Sequence, residues 1–350
     1  MTELQWKAII SGHRRDLSAS ILRAGLRIAS FPYGAAIRGR NLGFDQGWIR
    51  STRVDRPVIS VGNLTVGGTG KTPVVEWVAR WFREHGRRVA ILSRGYGAED
   101  GPNDEALVLE ENLPDVPHLQ GKDRVALAKI GIEELDAELF VLDDGFQHRR
   151  LKRDLDIVLV DALNPFGNGR LFPAGPLREP ISSLRRAGLI LLTRADEVDQ
   201  LTRDRLKTEV ERWAAGTPIG TVSFPAIELQ GLGRASLPVA GLVGRQVASF
   251  CGIGHPEAFH RTVEGLGAKI LATRTFPDHH PYRGADIEDL ARWGRECGAE
   301  ILVTTQKDLV KIRLGELRGQ PLWAVRIGAV VTDGKGKCDE LLGDVLSTLS

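Results

Sequence analysis

From residue 57 onward, short apolar runs without alternation punctuate the chain: Pro57 to Val61, Arg88 to Leu92, Glu138 to Leu142, Leu155 to Val160 and Leu189 to Leu192. Runs of this kind suit strands covered on both faces, as in a parallel sheet. Between the first two, Val74, Val75, Val78, Trp81 and Phe82 fall on one helical face, so 57–92 reads as one β-α-β unit. A Gly/Pro-punctuated stretch from Gly231 to Gly244 precedes a second series. That series predicts a strand at Val247 to Cys251, a helix at His255 to Leu266, a strand at Lys269 to Thr273, a helix at Asp286 to Cys297 and a strand at Glu300 to Thr304. The pattern predicts an α/β fold: a doubly wound, mostly parallel sheet with a second, smaller α/β domain. The expected boundaries are an amino-terminal arm over 1–50, a first domain over 51–235 and a second over 236–350.

Ahead of these runs, Leu17, Ile21, Ala24, Ile28 and Phe31 recur at helical spacing, with Arg23 and Arg27 on another side. Residues 1–50 hold eight Lys and Arg against three Asp and Glu, a net +5, which leaves −3 for the rest. The arm is therefore a basic amphipathic helix. Two readings stay open: an ordinary surface helix packed on its own domain, or a helix lying in a lipid interface.

Over the full 350 residues the net charge is only +2, with 42% hydrophobic and 26% charged residues, which excludes disorder and coiled coil and names no partner. Cys251, Cys297 and Cys338 are far apart and odd in number, so they read as packing residues in a reducing compartment. No run reaches the roughly 18 apolar residues of a spanning helix, and the first thirty residues lack the features of a signal peptide. The expected location is cytoplasmic.

The sharpest chemical signal is Thr65-Val66-Gly67-Gly68-Thr69-Gly70-Lys71-Thr72, after an apolar run and before an amphipathic helix. Its glycines let backbone N–H groups curl round phosphate oxygens, Lys71 adds charge at the β/γ phosphates, and Thr72 suits Mg²⁺. The string departs from the usual P-loop only in carrying Thr65 where the first Gly is expected. A second apolar run ends in Asp143 and Asp144, the position at which P-loop enzymes hold the nucleotide's Mg²⁺. Together they predict a P-loop NTPase-like domain binding a nucleotide and Mg²⁺.

Asp278-His279-His280, read alone, suits solvated loop residues better than a metal site, since adjacent side chains seldom point at one ion. Asp104 and Glu105 lie in a polar stretch. Thr193-Arg-Ala-Asp196 and Thr305-Gln-Lys-Asp308 each have the outline of a guanine-reading element or of a capped strand-to-helix turn.

Taken together, six strings in order resemble one family, the tetraacyldisaccharide 4′-kinases of lipid A biosynthesis: Val61 to Pro73, Leu92-Ser-Arg-Gly-Tyr-Gly97, Leu142-Asp-Asp-Gly-Phe-Gln-His-Arg149, Pro173-Ala-Gly-Pro-Leu-Arg-Glu-Pro180, Phe276-Pro-Asp-His279 and Thr304 to Asp308. The resemblance implies transfer of the γ-phosphate of ATP to the 4′-hydroxyl of tetraacyldisaccharide 1-phosphate, giving lipid IVA. It implies a peripheral enzyme on the cytoplasmic face of the inner membrane, which favours the lipid-interface reading of the arm. The implied partners are the lipid A precursor and the membrane surface, with no nucleic acid and no obligate protein partner.

The resemblance also assigns residues. Lys71 and Thr72 keep the phosphate and Mg²⁺ roles, Asp143 and Asp144 position metal and nucleotide, and Glu179 stands near the metal. His279 matches a histidine that pairs with an aspartate acting on the attacking hydroxyl; the matching acidic pair is Asp104-Glu105 within Asn103 to Ala106, so Asp104 is the expected base. Asn63, Tyr96, Gln147 and Arg178 lie in matching strings and are expected to line the sugar-phosphate site, Arg178 facing a phosphate, with Arg124 assisting the transferring one. The rival reading, a GTP-hydrolysing switch or metallochaperone, explains the P-loop and the two Thr-x-x-Asp strings. It leaves the Pro173 and Phe276 strings and the arm without a purpose.

Overall fold

A computed structural model describes residues 6, 9, 10, 12, 14, 16–95 and 104–349. The chain opens with α1 (Leu17–Asp45), a helix of 29 residues that runs through Pro32. It then forms β1 (Val58–Asn63), α2 (Lys71–Glu84), β2 (Val89–Ser93), α3 (Asp104–Asn112), β3 (His118–Gln120), α4 (Arg124–Leu135), β4 (Leu139–Asp143) and β5 (Leu155–Asp161). Next come β6 (Leu189–Thr193), α5 (Gln200–Trp213), β7 (Ile219–Ser223), β8 (Ala226–Gln230), β9 (Ser236–Leu237), β10 (Gln246–Cys251) and α6 (Pro256–Gly265). The chain ends with β11 (Lys269–Thr275), α7 (Gly284–Glu296), β12 (Ile301–Thr305), α8 (Gln306–Ile312), β13 (Glu316–Leu317), β14 (Gln320–Ile327), β15 (Val330–Asp333) and α9 (Lys335–Ser347).

These elements make two compact units, neither of them contiguous: Met1–Arg94 with Gly121–Ser223 and Val330–Ser350, and Gly95–Gln120 with Phe224–Ala329. The three contiguous domains expected from composition do not describe this division. The carboxy-terminal tail returns to the first unit because β15 pairs antiparallel with β7. Residues 95–120 belong to the second because α3 packs on α8. The arm is not a separate piece, since α1 is part of the first unit.

In the first unit the strands lie in the order β15-β7-β6-β5-β1-β4-β2, parallel except for β15. Every residue of β1 and β4 is buried, which explains their unbroken apolar patterns. Their register sets Val61 opposite Asp143, so the two strands end side by side where the Gly-rich loop begins. Beneath that edge, Leu64, Phe146, Val158, Ile190, Leu192, Leu206 and Val210 close one core.

The second unit has its own sheet, parallel through β11-β10-β12-β14 and continued antiparallel by β8 and β9. Helices cover both faces: Val247 and Val303 pack with Phe259 and Val263 of α6, while Ala248 and Leu302 pack with Leu290 of α7 and Leu309 of α8. Cys251 and Cys338 are buried and unbridged, consistent with packing. Among the described residues, no helix is long and apolar enough to cross a membrane.

The apolar stripe of α1 ends at Phe31, but the helix continues because its later turns are held by the first unit. Pro32 removes one N–H from the ladder. Beyond it, Tyr33 Oη donates to the Arg178 carbonyl at 2.9 Å, and Arg149 pairs with Asp45 at 2.7 Å. The strongest tie is Glu179, whose side chain is 0% exposed: it accepts from Arg40 at 2.8 Å, Asn41 at 2.9 Å and Arg186 at 2.8 Å. Burial would raise its pKa, but Arg186, Asn41 and Arg40 outweigh this and hold it below the ordinary carboxylate value.

Two measurements check this packing. Glu179→Ala leaves Arg186 and Arg40 without their counter-charge, and urea denaturation should show a loss of about 3–5 kcal/mol. In β1, a Cβ on Gly62 would stand 2.8 Å from the Phe146 backbone nitrogen, whereas one on Gly68 would meet nothing within 4 Å. Gly62→Ala should therefore cost about 1–3 kcal/mol by the same method, and Gly68→Ala should leave global stability within about 0.5 kcal/mol.

Candidate active site

The buried strand β1 delivers the chain into the loop Leu64 to Gly70. Gly67 and Gly70 sit at φ 127° and 83°, values that a side chain would strain, and Gly70 leads directly into the amino terminus of α2. Two braces fix the loop from below. Asn63 Nδ2 donates to Thr69 Oγ1 at 3.0 Å, and Gln147 Nε2 donates to the Asn63 carbonyl at 2.9 Å. Asn63 is fully buried, so it holds the loop in shape rather than lining a sugar site as expected from its string.

The Pro173 to Pro180 string supplies a third brace. Thr65 forms a β-bridge with Leu177, Val66 N donates to the Pro176 carbonyl at 2.8 Å, and Arg178 N donates to the Leu64 carbonyl at 2.7 Å. Arg194 supplies a fourth. Its guanidinium forks onto Asp161, with Nε at 2.9 Å from Oδ1, and its Nη2 donates to the Gly68 carbonyl at 3.0 Å. Within the string from Thr193 to Asp196, Arg194 is thus occupied in supporting the loop.

At the end of β4, Asp143 is buried and Asp144 turns into left-handed backbone at φ 53°. Arg178 Nη1 donates to both Asp144 oxygens at 2.9 and 2.7 Å, and Lys71 Nζ stands 3.6 Å from Oδ1. Burial pushes the Asp144 pKa up, but Lys71 and Arg178 together hold it below the ordinary value. Arg178, expected on a substrate phosphate, here neutralises Asp144. The guanidinium and ammonium converge on one carboxylate, the kind of electropositive cluster that suits phosphate oxygens.

Thr72, Asp143 and Asp144 offer hard oxygen donors at the junction of β4 and α2, and among the described residues no group of three His, Cys, Asp or Glu side chains is arranged to hold a metal ion. That donor set fits Mg²⁺, which takes one or two carboxylates and completes its shell with phosphate and water. Glu179 is not part of it. Fully buried and saturated by Arg40, Asn41 and Arg186, it anchors α1 instead of reaching a metal.

Arg124 opens α4, where Asp123 caps the helix by accepting from the backbone of Val125 at 3.0 Å and Ala126 at 3.1 Å. The Arg124 side chain is buried and donates to the Lys122 carbonyl at 3.1 Å. Burial, aided by the charge of Arg124, lowers the pKa of His148 to about 4, so that histidine stays neutral. Tyr96 lies outside the described residues.

The second unit brings together the other expected pair. Asp104 starts α3 and is almost fully buried; its Oδ2 meets His279 Nδ1 at 2.9 Å across 175 positions of sequence. His279 occupies left-handed backbone at φ 58° in the loop between β11 and α7, and its own N–H donates to Asp278 at 3.1 Å. The hydrogen bond to Asp104 raises the His279 pKa against the effect of burial. Burial would raise that of Asp104, but His279, Lys307 and Lys311 more than offset it and keep the carboxyl ionised. His280 points elsewhere, stacked on Phe276 at 4.7 Å and 3.3 Å from Asp286.

The string Thr304 to Asp308 is a capped helix start. Thr305 Oγ1 accepts from Asp308 N at 3.2 Å, and the fully buried Asp308 accepts from Gly252 N at 3.0 Å. An aspartate so enclosed reads no guanine. Its helix also pairs Lys307 with Glu105 at 2.8 Å. Lys307, Lys311, Arg194 and the Arg40–Arg186 shell of Glu179 escaped the sequence reading; only the three-residue spacing of Asp308 and Lys311 on one helix face hinted at any of them.

The family described as Tetraacyldisaccharide-1-P 4'-kinase (LpxK) matches residues 22–347 of the chain. A Tetraacyldisaccharide 4'-kinase of Anaeromyxobacter sp. (strain Fw109-5) is 40% identical, covering 96% of each chain, and one of Syntrophus aciditrophicus (strain SB) is 38% identical, covering 86% of this chain and 87% of its own. Among solved structures, the "apo" form of LpxK from Aquifex aeolicus in complex with ATP superposes with a TM-score of 0.76 at 31% identity, covering 93% of this chain and 99% of that one. With its P-loop, its paired acids and a match over nearly its whole length, the chain belongs to the tetraacyldisaccharide-1-P 4'-kinase family.

Proposed function

We propose that the chain carries out its family's reaction through the residues just placed. The γ-phosphoryl of ATP passes to the 4′-hydroxyl of tetraacyldisaccharide 1-phosphate, giving lipid IVA and ADP. A bond forms from the 4′-oxygen to the γ-phosphorus as the bond to the β,γ-bridging oxygen breaks, and its electron pair leaves with ADP. The hydroxyl proton goes to Asp104.

Backbone N–H groups of the loop from Gly67 to Gly70 and the amino terminus of α2 receive the phosphates, and Lys71 adds charge at the β and γ oxygens. Thr72, Asp143 and Asp144 would hold Mg²⁺, which would supply charge neutralisation for the phosphates. Arg178, which with Lys71 faces Asp144, adds positive charge for the phosphate oxygens, and Gln147 braces it by accepting at 3.4 Å. Because phosphoryl transfer proceeds through a loose transition state, the base takes its proton late and alignment matters more than basicity. His279 holds Asp104 in position and supports its charge. The observation that carries this reading is the Asp104–His279 contact at 2.9 Å, a buried carboxylate gripped by a histidine that remains accessible.

The amino-terminal half of α1 supports a membrane role on the cytoplasmic face of the inner membrane. Leu17, Ile21, Ile28 and Phe31 are 66–78% exposed along one stripe, flanked by Arg23 and Arg27, so apolar area and positive charge lie together. An anionic lipid surface complements both.

Lys71→Ala and Asp104→Asn should each lower kcat/KM for 4′ phosphorylation in detergent micelles by about 10²–10⁴-fold, with His279→Gln less severe. Asp104→Asn at near wild-type rate would move the base elsewhere. The protein should float with phosphatidylglycerol vesicles and not with phosphatidylcholine ones, more weakly as salt rises, and Ile28→Glu with Phe31→Glu should abolish flotation. Flotation unaltered by that double change would rule the stripe out.

A further inference from the structure

We infer that Lys311 is a positioning residue for Asp104, holding it ionised, and that Asp308 sets how much of the Lys311 charge Asp104 receives. This rests on the reading of Asp104 as the base. The argument begins with burial. Lys311 projects from α8 with its side chain only 14% exposed, and its ammonium stands 3.1 Å from Asp308 Oδ1 and 3.9 Å from Asp104 Oδ2. It also lies 5.4 Å from the centre of the Tyr282 ring. An ammonium so enclosed needs counter-charge, and it divides itself between two carboxylates of which the nearer is Asp308.

Asp308 is immobilised for this task. Fully buried, its Oδ2 accepts from Thr305 Oγ1 at 2.7 Å and Gly252 N at 3.0 Å, leaving Oδ1 toward Lys311. The charged groups around Asp104 are His279 and Asp278 from the loop before α7, Lys307, Asp308 and Lys311 from α8, and Glu105 beside it on α3. Glu105 pairs with Lys307 at 2.8 Å and offsets that charge. The packing of α3 on α8, reinforced by the paired amides of Asn112 and Gln306 at 2.6 Å, fixes the lysine's distance from the base. His279 Nδ1 meets the same Oδ2 at 2.9 Å. A cation at this distance lowers a carboxyl pKa, and its removal lets the pKa rise.

The test is the acidic limb of the kcat/KM profile in the micelle assay, measured on the full chain. The base works only when deprotonated, so Lys311→Met should move the limb to higher pH by about one unit, and Lys311→Arg should return it toward wild type. Asp308→Asn should move the limb the other way, to lower pH, because the lysine's charge then acts on Asp104 unopposed. A lysine that merely packs α8 would lower rate or stability and leave the limb in place. An unmoved limb in both Lys311→Met and Asp308→Asn, with Asp104→Asn inactive, overturns the inference while the base stands. An active Asp104→Asn overturns the base and the inference with it.

Discussion

The first unit depends on one carboxylate. Asp144 accepts both contacts of Arg178 and the approach of Lys71, so it ties the end of β4 to the P-loop lysine and to the Pro173–Pro180 string. Its left-handed backbone, φ 53°, costs on the order of 1–2 kcal/mol, which the surrounding pairs must offset. Three segments far apart in sequence are thereby held together. Asn63, the Leu177 bridge and Arg194 then fix the shape of the loop itself.

In the second unit the organising device is a histidine–carboxylate pair, with the carboxylate at the start of α3, which packs on α8, and the histidine in the loop before α7. The two pKa shifts define when it is complete. His279, raised, contributes stability fully below the ordinary histidine value of 6.5 and loses it as pH climbs through its raised value. Asp104, lowered, contributes above the ordinary carboxylate value of 3.8 and loses it as pH falls through its lowered value. The pair is therefore whole across the interval from 3.8 to 6.5 and weakens outside it on both sides.

Much of this was legible in the chain. Strands buried on both faces announce themselves by unbroken apolar runs, and the loop Thr65 to Thr72 carries its chemistry in its glycines and lysine. The Asp104–His279 contact was expected from two strings that resemble a family, although neither string alone names the other. What stayed hidden depends on partners distant in sequence. Glu179 beside Arg178 reads as a metal ligand until Arg40, Asn41 and Arg186 saturate it. Asn63 reads as a rim residue until Thr69 and Gln147 place it beneath the loop. The discontinuous units escaped for the same reason: β15 pairs with β7, and no local pattern records that return.

The central claim is a reaction, so the product tests it most directly. Purified protein, ATP, Mg²⁺ and tetraacyldisaccharide 1-phosphate in micelles, followed by ³¹P NMR of the extracted lipid, should give a second phosphate monoester whose proton correlation lies at the 4′ position. A lipid carrying only its original 1-phosphate, or a new phosphate at another hydroxyl, would contradict the account.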